Sequence, residues 1–520
     1  MKIMIINRPE LTAMIVAALL SLFSCKKDSN GTEPATAITG FSADTAWIGK
    51  IITINGKGFS ATAADNSVRI GSTVINEVVE ASATSLTIKI PAGTTSGKVF
   101  VKVNGVEKES AKDLVIVNQL VWHKMLGGKE TDFAVSTAPT ADGGYLIAGY
   151  SESTDGDVTG NHGDYDYWVV KLNADRTIAW QRSLGGSGDD NLIKMIPLAD
   201  GGCLLAGYTI STDGDVTGNH GNSDCWIVKL NAAGAMVWQK TLGGSRQDRP
   251  GSVIAIPGGY MVVGYTGSND GDVTGNHGGY DFWVVKLNES GTIISQKTFG
   301  GTGNEYASDI TPTSDGGYLV GGRTNSTDGE VTGNHGGLDI WVVKLNAAGN
   351  AEWQKTYGGT GSEAMQSILT TSDGGAVMAG YTNSLNGDVT GVRGGLDCWI
   401  TKLNSSGAIV WQKTLGGSAD EHAYSIVAAQ NGGFAIAGLT ASSDGDVTGF
   451  HAGTDSWVVR LNANGGIVWQ KTVGGSNLDN SYAIAASGNS FIVAGIARST
   501  DGDLSGVHGD YDFWLYKILD

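Results

Sequence analysis

The stretch that decides the fold is residues 192–244, LIKMIPLADGGCLLAGYTISTDGDVTGNHGNSDCWIVKLNAAGAMVWQKTLGG. It contains four short runs rich in apolar and β-branched residues, at Leu192–Leu198, Cys203–Thr209, Cys225–Asn231 and Met236–Leu242. Glycine-rich turns and one long polar loop separate these runs, as is typical of β-strands joined by turns. The stretch therefore predicts four consecutive strands, which we name A, B, C and D.

The same unit recurs along residues 119–520. A tryptophan stands five residues before a Gly-Gly pair in six copies, and a serine replaces it in one: Trp122, Trp180, Trp238, Ser295, Trp353, Trp411 and Trp469. Repeated units of four antiparallel strands around a common axis are the blades of a β-propeller. A solenoid is the alternative, but solenoid repeats are shorter or helical.

The two ends of the repeat region predict how the ring closes. The last copy stops at Asp520, just after a strand C, and the region begins with an isolated strand D at Leu120–Leu126. Together these fragments make one blade, which gives six whole blades and one composite blade. We number the blades 1 to 7 from the first whole unit. The sequence thus predicts a seven-bladed β-propeller of four-stranded blades, closed by an N-terminal strand that removes the open edges.

Residues 35–117 form a separate region. Apolar and polar residues alternate there in four short runs, at Ile51–Ile54, Ser67–Ile70, Leu86–Ile90 and Val99–Val103. Such runs predict a β-sandwich. The segments Ile38–Phe41, Gly49–Phe59 and Leu86–Pro91 resemble an IPT/TIG domain. That resemblance implies an immunoglobulin-like fold and a role as a spacer or interaction module.

The N-terminal residues predict a targeting signal. Basic residues precede an apolar run of 13 residues, Leu11–Phe23, which is too short to span a bilayer but fits a signal peptide. The run ends in Leu22–Cys25, which resembles a bacterial lipobox and implies lipidation of Cys25. We therefore expect a lipoprotein signal peptide at 1–25 and a tether at 26–34. An ordinary secretory signal is the alternative.

The net charge of the chain argues against some classes of binding partner. The net charge is −18 at pH 7 and 79 of the 520 residues are glycine, without a Gly-X-Y period. A surface this acidic argues against binding nucleic acid or anionic lipid through charge, because both need basic surface. We expect the protein to be a monomer at the cell envelope. We expect its lipid anchor to hold it at the outer membrane, and the sequence does not decide whether it faces the cell surface.

The spacing of oxygen-bearing residues in the B–C loops indicates candidate calcium sites. In blade 1, Asp155, Asp157, Thr159 and Asp166 occupy positions 1, 3, 5 and 12, with glycine at position 6. This spacing resembles an EF-hand loop, although strands flank it and aspartate stands at position 12. The corresponding candidate ligands in the other blades are Asp213, Asp215, Asp224, Asp270, Asp272, Asp281, Asp328, Glu330, Asp339, Asp388, Asp397, Asp444, Asp446, Asp455, Asp501, Asp503 and Asp512. The alternative is a turn whose aspartates cap its own backbone N–H groups.

Two further loop positions recur. Six B–C loops carry a histidine where the seventh carries Arg393: His162, His220, His277, His335, His451 and His508. Because a guanidinium can replace an imidazole that balances a carboxylate but not one that binds metal, we expect an electrostatic latch between neighbouring loops. Every D–A loop carries an acid, and we expect these acids to ring the mouth of the central channel: Asp132, Asp190, Asp248, Glu305, Glu363, Glu421 and Asp479.

The residue after each of these acids varies between blades, as expected for a surface that recognises a ligand. The resulting ligand-face candidates are Phe133, Arg249, Tyr306 and His422. The favoured function is a non-enzymatic, lipid-anchored envelope protein whose loop-rich face binds glycan or protein. One alternative is a polysaccharide lyase or hydrolase, which should break the repeat symmetry with a carboxylate pair or a Tyr/His/Arg set. A structural or adhesive role is the third hypothesis.

Overall fold

The computed structural model describes residues 35–91, 94–116, 119–430 and 432–520. Cys25 and the expected signal peptide lie outside the described residues. No helix in the described part is both long enough and apolar enough to cross a membrane. The chain divides into two compact units, one ending at residue 117 and the other beginning at residue 118.

The N-terminal unit is the predicted β-sandwich. Its strands are β1 (Ala37–Phe41), β2 (Thr45–Ala46), β3 (Ile51–Lys57), β4 (Asn66–Ile70), β5 (Thr73–Ile75), β6 (Val78–Ala81), β7 (Ser85–Lys89), β8 (Gly97–Val103) and β9 (Val106–Ile116), with a short 3₁₀ helix at Ala63–Asp65. The strands form one sheet in the order β1-β3-β7-β6 and a second in the order β2-β9-β8-β4-β5. Alternate residues of both sheets, such as Ile54, Val68 and Val101, share one buried core.

The C-terminal unit consists of four-stranded antiparallel sheets in the order A-B-C-D, one for each predicted blade. The A strands are Asp132–Pro139, Asp190–Pro197, Asp248–Ile256, Glu305–Pro312, Glu363–Thr370, Glu421–Ala428 and Asp479–Ala486. The B strands are Tyr145–Ser151, Cys203–Thr209, Gly259–Thr266, Tyr318–Thr324, Ala376–Thr382, Phe434–Thr440 and Ser490–Ala497. The C strands are Asp166–Leu172, Asp224–Leu230, Asp281–Asn288, Asp339–Leu345, Asp397–Leu403, Asp455–Leu461 and Asp512–Leu519. The D strands are Leu120–Leu126 in blade 7 and Ile178–Leu184, Met236–Leu242, Ile293–Phe299, Ala351–Tyr357, Ile409–Leu415 and Ile467–Val473 in blades 1 to 6.

The predicted ring closure is confirmed. Leu120–Leu126 pairs antiparallel with Asp512–Leu519 and completes blade 7. Each strand A contacts the strand A of the next blade, and the strand A of blade 7 contacts that of blade 1. The seven A strands therefore form a closed inner ring, and the D strands lie at the outer edge of each sheet.

Large side chains on strand C fill the space between blades. Each strand C carries one fully buried tryptophan: Trp168, Trp226, Trp283, Trp341, Trp399, Trp457 and Trp514. Trp226 of blade 2 packs on Tyr167 of blade 1, with ring centroids 4.5 Å apart. These tryptophan rings therefore form core between the blades and are not exposed as platforms for a sugar. Cys203, Cys225 and Cys398 are likewise buried and free, as expected for small packing residues.

The composite blade gives a direct test of ring closure. Leu126, on the N-terminal strand D, is fully buried in the cluster between blades 7 and 1, whereas Val121 on the same strand is 47% exposed. We expect Leu126→Ala to lower the free energy of unfolding by about 2–5 kcal/mol, because it leaves a cavity in that cluster. Val121→Ala is the control and should cost less than about 0.5 kcal/mol. Equal and small effects in urea unfolding would show that this strand does not complete the ring.

Candidate functional site

The D–A and B–C loops emerge at the same end of the propeller, which we call the loop face. This follows from the topology, because strands A and C begin at that end and strands B and D finish there. The two loops of each blade are joined by backbone hydrogen bonds. In blade 2 the N–H of Asp215 donates to the carbonyl of Gly185 at 2.8 Å, and the same bond recurs in every blade.

A buried carboxylate at the start of strand A fixes this contact. In blade 2, Asp190 accepts hydrogen bonds from the N–H of Gly186 at 2.7 Å and from Ser211 Oγ at 2.9 Å. All seven strand A acids are fully buried, and each accepts a bond of 2.7–2.9 Å from the second glycine of its D–A loop. These acids begin the seven strands of the inner ring, where they are buried and hold the loops together inside the protein.

Burial also changes how these acids ionise. Removal from water raises the pKa of Asp132 and Asp190 to about 6. The strand C acid Asp397 has a pKa of about 6 as well, mainly through burial and also through the neighbouring charge of Glu421. These three carboxyl groups therefore bind a proton more tightly in the folded chain than in the unfolded chain.

The first acid of strand C holds the B–C loop. In blade 2, Asp224 Oδ2 accepts a bond from the N–H of His220 at 2.8 Å and lies 2.8 Å from His220 Nδ1. The same pairing occurs in the five other blades that carry the histidine. The latch predicted between neighbouring loops therefore lies within one loop in these six blades. Only the guanidinium of Arg393, among the described residues at this position, reaches an acid of the next blade, Asp446.

The candidate calcium ligands of one loop form hydrogen bonds with different partners. In blade 1, Asp155 accepts a bond from the N–H of Lys129 at 2.9 Å, and Asp157 faces the N–H of Gly127 at 3.4 Å. Thr159 is exposed at the loop tip, and Asp166 is buried against His162. In every blade the first loop position, including Asn386, accepts a bond of 2.7–2.9 Å from a D–A backbone N–H. In blade 1, positions 1 and 3 thus cap the neighbouring loop, whereas the acid at position 12 caps a backbone N–H of its own loop.

The positions 1, 3, 5 and 12 do not converge on one point in this arrangement. Within the described ranges, no group of three or more His, Cys, Asp or Glu side chains could hold a metal ion. One unexplained feature is Oδ1 of the strand C acid, which is buried without a hydrogen-bond partner in all seven blades of the described chain. Calcium binding by these loops stays a prediction from the sequence.

Calcium titration decides between the two interpretations of the loops. If the loops bind calcium, the melting temperature should rise with calcium over a chelator control, and up to seven ions should bind, because an ion bound only to the folded state stabilises it. The loop with Asn386 should be among the weakest. The hydrogen-bonded arrangement predicts no change in melting temperature, because each carboxylate already has its partners. Calorimetry in chelator and then in calcium separates these outcomes.

The loop face also carries an unbroken series of rings across blades 5, 6, 7 and 1. We call it the aromatic arc, and its members are Tyr381, His422, Tyr424, Tyr482, Phe133, Tyr150, Tyr165 and Tyr511. Neighbouring ring centroids lie 4.4–6.2 Å apart. Phe133 is stacked on Tyr150 at 5.3 Å. All of these rings are half-buried, so each keeps part of its surface open to solvent.

A second, smaller group combines rings with arginines in blades 2 to 4. Tyr265, Tyr280 and Tyr306 contact one another at 4.9–5.5 Å. Arg323 lies over Tyr306 at 5.0 Å, and Arg249 lies over the ring of Tyr208 at 3.8 Å. Cations over aromatic faces are held in place by the ring quadrupole.

The four ligand-face candidates are thus divided between two groups. Phe133 and His422 belong to the arc, and Arg249 and Tyr306 belong to the second group. Sequence analysis missed their partners on strand B. A signal was present, because one strand B position pairs with the variable position of strand A and is aromatic in four blades: Tyr150, Tyr208, Tyr265 and Tyr381.

Comparison with known proteins agrees with the N-terminal fold. Residues 36–115 match the IPT/TIG domain family, so the β-sandwich is an IPT/TIG domain. The described part of the chain is therefore an IPT/TIG domain followed by a seven-bladed β-propeller. One curated relative is the regulatory protein FlaEY of Caulobacter vibrioides, 27% identical over 172 residues. That match covers 30% of this chain and only 17% of the length of FlaEY.

The solved structures that match this chain are distant. The WD40 domain of Neurospora crassa Pan2 is 9% identical and has a TM-score of 0.42, with 76% of this chain and 95% of that chain covered. An auxiliary nutrient binding protein from Bacteroides ovatus is 11% identical and has a TM-score of 0.33, with 93% and 98% covered. The fold assignment rests on the strand order described above.

Proposed function

We propose that this protein is a non-enzymatic binding protein of the cell envelope, anchored through Cys25, whose aromatic arc binds glycan. The arc carries this proposal. It is a continuous, partly exposed series of rings on the face where the variable loop positions lie. A sugar ring presents C–H groups on one face and hydroxyls around its rim, so aromatic faces with polar edges suit it.

The arrangement of the arc matches an extended ligand better than a small one. It spans four adjacent blades, so it offers successive ring faces along a curved path. Tyr424 and Tyr482 add hydroxyl groups that can exchange hydrogen bonds with sugar hydroxyls. Burial raises the pKa of both tyrosines, so they stay protonated at neutral pH. These two phenols are therefore uncharged where they would contact the ligand.

The acids of the loop face support a binding role over catalysis. The strand A and strand C carboxylates are buried, repeated in all seven blades and bonded to backbone groups. A catalytic pair should instead be exposed beside the ligand and set apart from the other blades. These carboxylates therefore serve the scaffold.

One contact favours the alternative of a polysaccharide lyase. Within the arc, Tyr424 Oη lies 3.5 Å from His422 Nδ1, and this pair breaks the repeat symmetry. Burial lowers the pKa of His422 and raises that of Tyr424. At neutral pH the imidazole is therefore uncharged and the phenol protonated, which are the resting forms of a general base and a general acid.

A glycan array followed by calorimetry tests the binding proposal. We expect Phe133→Ala and Tyr482→Ala each to weaken binding of the selected glycan about tenfold or more, equivalent to about 1.4 kcal/mol. Val237→Ala is the control, because it removes an exposed apolar side chain from the outer edge of blade 2. It should leave affinity unchanged.

Two results would contradict this proposal. Absence of binding to every glycan on the array would overturn it and would favour a protein ligand. Release of unsaturated sugar products during incubation, abolished by His422→Ala, would instead establish the lyase.

A further inference from the structure

Grooves run between neighbouring blades near the outer edge of the propeller. Strand D and the B–C loop of one blade form one wall, and the C–D turn of the next blade forms the other. Their volumes are 470 Å³ between blades 2 and 3 and 410 Å³ between blades 4 and 5. An equivalent groove of 500 Å³ lies between blades 7 and 1, where the ring closes. We call it the closing groove.

Three departures from the repeat meet in the closing groove. The groove between blades 2 and 3 is lined by Gln239, Thr217 and Gly291, and that between blades 4 and 5 by their equivalents. In the closing groove, His123 replaces the glutamine, Ser505 replaces the threonine and Arg176 replaces the glycine. The three residues come from distant parts of the chain, so their meeting in one groove is a property of the fold.

The first replacement removes hydrogen bonds that the other blades make. In blades 1 to 6 the strand C tryptophan donates from Nε1 to the strand D glutamine at 2.7–2.9 Å. With His123 in that place, Trp514 Nε1 and His123 Nδ1 are both buried without a partner in the part of the chain that the structure describes. Buried polar groups without partners destabilise a fold, so this junction gives up a bond that the other blades keep. The other ring nitrogen, His123 Nε2, lies 3.5 Å from Ser505 Oγ.

The replacement of glycine by Arg176 places a side chain where the backbone conformation disfavours one. Arg176 has φ +70°, in the left-handed region. The five equivalent turns all carry glycine, with φ from +74° to +78°: Gly234, Gly291, Gly349, Gly407 and Gly465. The guanidinium of Arg176 stands over the ring of Trp122 at 5.5 Å. A strained residue that breaks a repeat is expected at a functional position.

The closing groove carries two full positive charges. They belong to Lys124 and Arg176, and the imidazoles of His123 and His508 line the groove beside them. Its acid, Asp175, already accepts bonds from the N–H and hydroxyl of Thr177. Beside it, Asp503 lies 3.4 Å from Lys471 of blade 6. By contrast, Asp272 lines the groove between blades 2 and 3.

We propose that the closing groove binds an oxyanion group of a ligand, with Arg176 and Lys124 supplying charge and His123 supplying an N–H donor from Nε2, the ring nitrogen beside Ser505. A guanidinium matches the two oxygens of a carboxylate or sulfate through paired N–H groups. Burial lowers the pKa of His123, opposed by the charge of Asp503, so its ring is a neutral donor at neutral pH. This site is separate from the aromatic arc and does not depend on glycan binding there.

The repeat itself supplies the test variants. Arg176→Gly and His123→Gln each restore the residue that the other blades carry, so neither should harm the fold. We expect calorimetric titration with trigalacturonate, which carries carboxylates, and with inorganic sulfate to show one binding site on the full chain. Each variant should weaken binding of the preferred probe at least tenfold, while the melting temperature stays equal or rises. The stronger probe distinguishes a uronate ligand from a sulfated one.

Arg182→Gln is the matched control. Arg182 lies on strand D of blade 1, at the position equivalent to Lys124, so the variant removes the same charge one junction away. Its affinity should equal that of the parent chain at constant ionic strength. Failure of both probes to bind, or equal loss of affinity in Arg182→Gln and Arg176→Gly, would overturn the proposal.

Discussion

The propeller depends on a buried carboxylate at the start of every strand A. This group accepts a hydrogen bond from the glycine N–H that precedes it, and in blade 2 also from a serine of the adjacent B–C loop. A carboxylate that is removed from water must be bonded in this way, because an unpaired buried charge is strongly unfavourable. The bonds therefore fix the D–A loop against the B–C loop, and the loop face becomes a rigid surface that can hold variable side chains in defined places.

Much of this architecture follows from sequence pattern alone. Alternation of apolar residues locates the strands, and the isolated strand at Leu120–Leu126 predicts the composite blade. Strands A and C of blade 2 begin at Asp190 and Asp224, one or two residues before the apolar runs suggest. The reason is physical, since an acid at a strand end looks like loop in the sequence but becomes a buried part of the ladder once its backbone donors are in place.

The loop chemistry could not be predicted in the same way. The spacing of Asp155, Asp157, Thr159 and Asp166 gives their order along the chain but not the direction of each side chain. The partners of Asp155 and Asp157 lie on a D–A loop about 25 to 30 residues earlier in the chain, as the bond from Lys129 to Asp155 shows. Asp166 instead bonds to His162 of its own loop. Local sequence pattern could not predict the aromatic arc either, because its members come from different blades and meet only when the ring closes.

The central claim is that the carboxyl groups at the blade junctions are buried parts of the scaffold rather than exposed ligands. Burial raises the pKa of Asp190 from 3.8 to about 6, so the folded chain binds its proton more tightly than the unfolded chain. The stabilisation from that proton is complete below about pH 4 and is lost as pH rises through about 6. Urea unfolding at pH 5 and pH 7, at constant ionic strength and with chelator, measures this directly. We predict a lower free energy of unfolding at pH 7, whereas equal or greater stability at pH 7 would contradict the account.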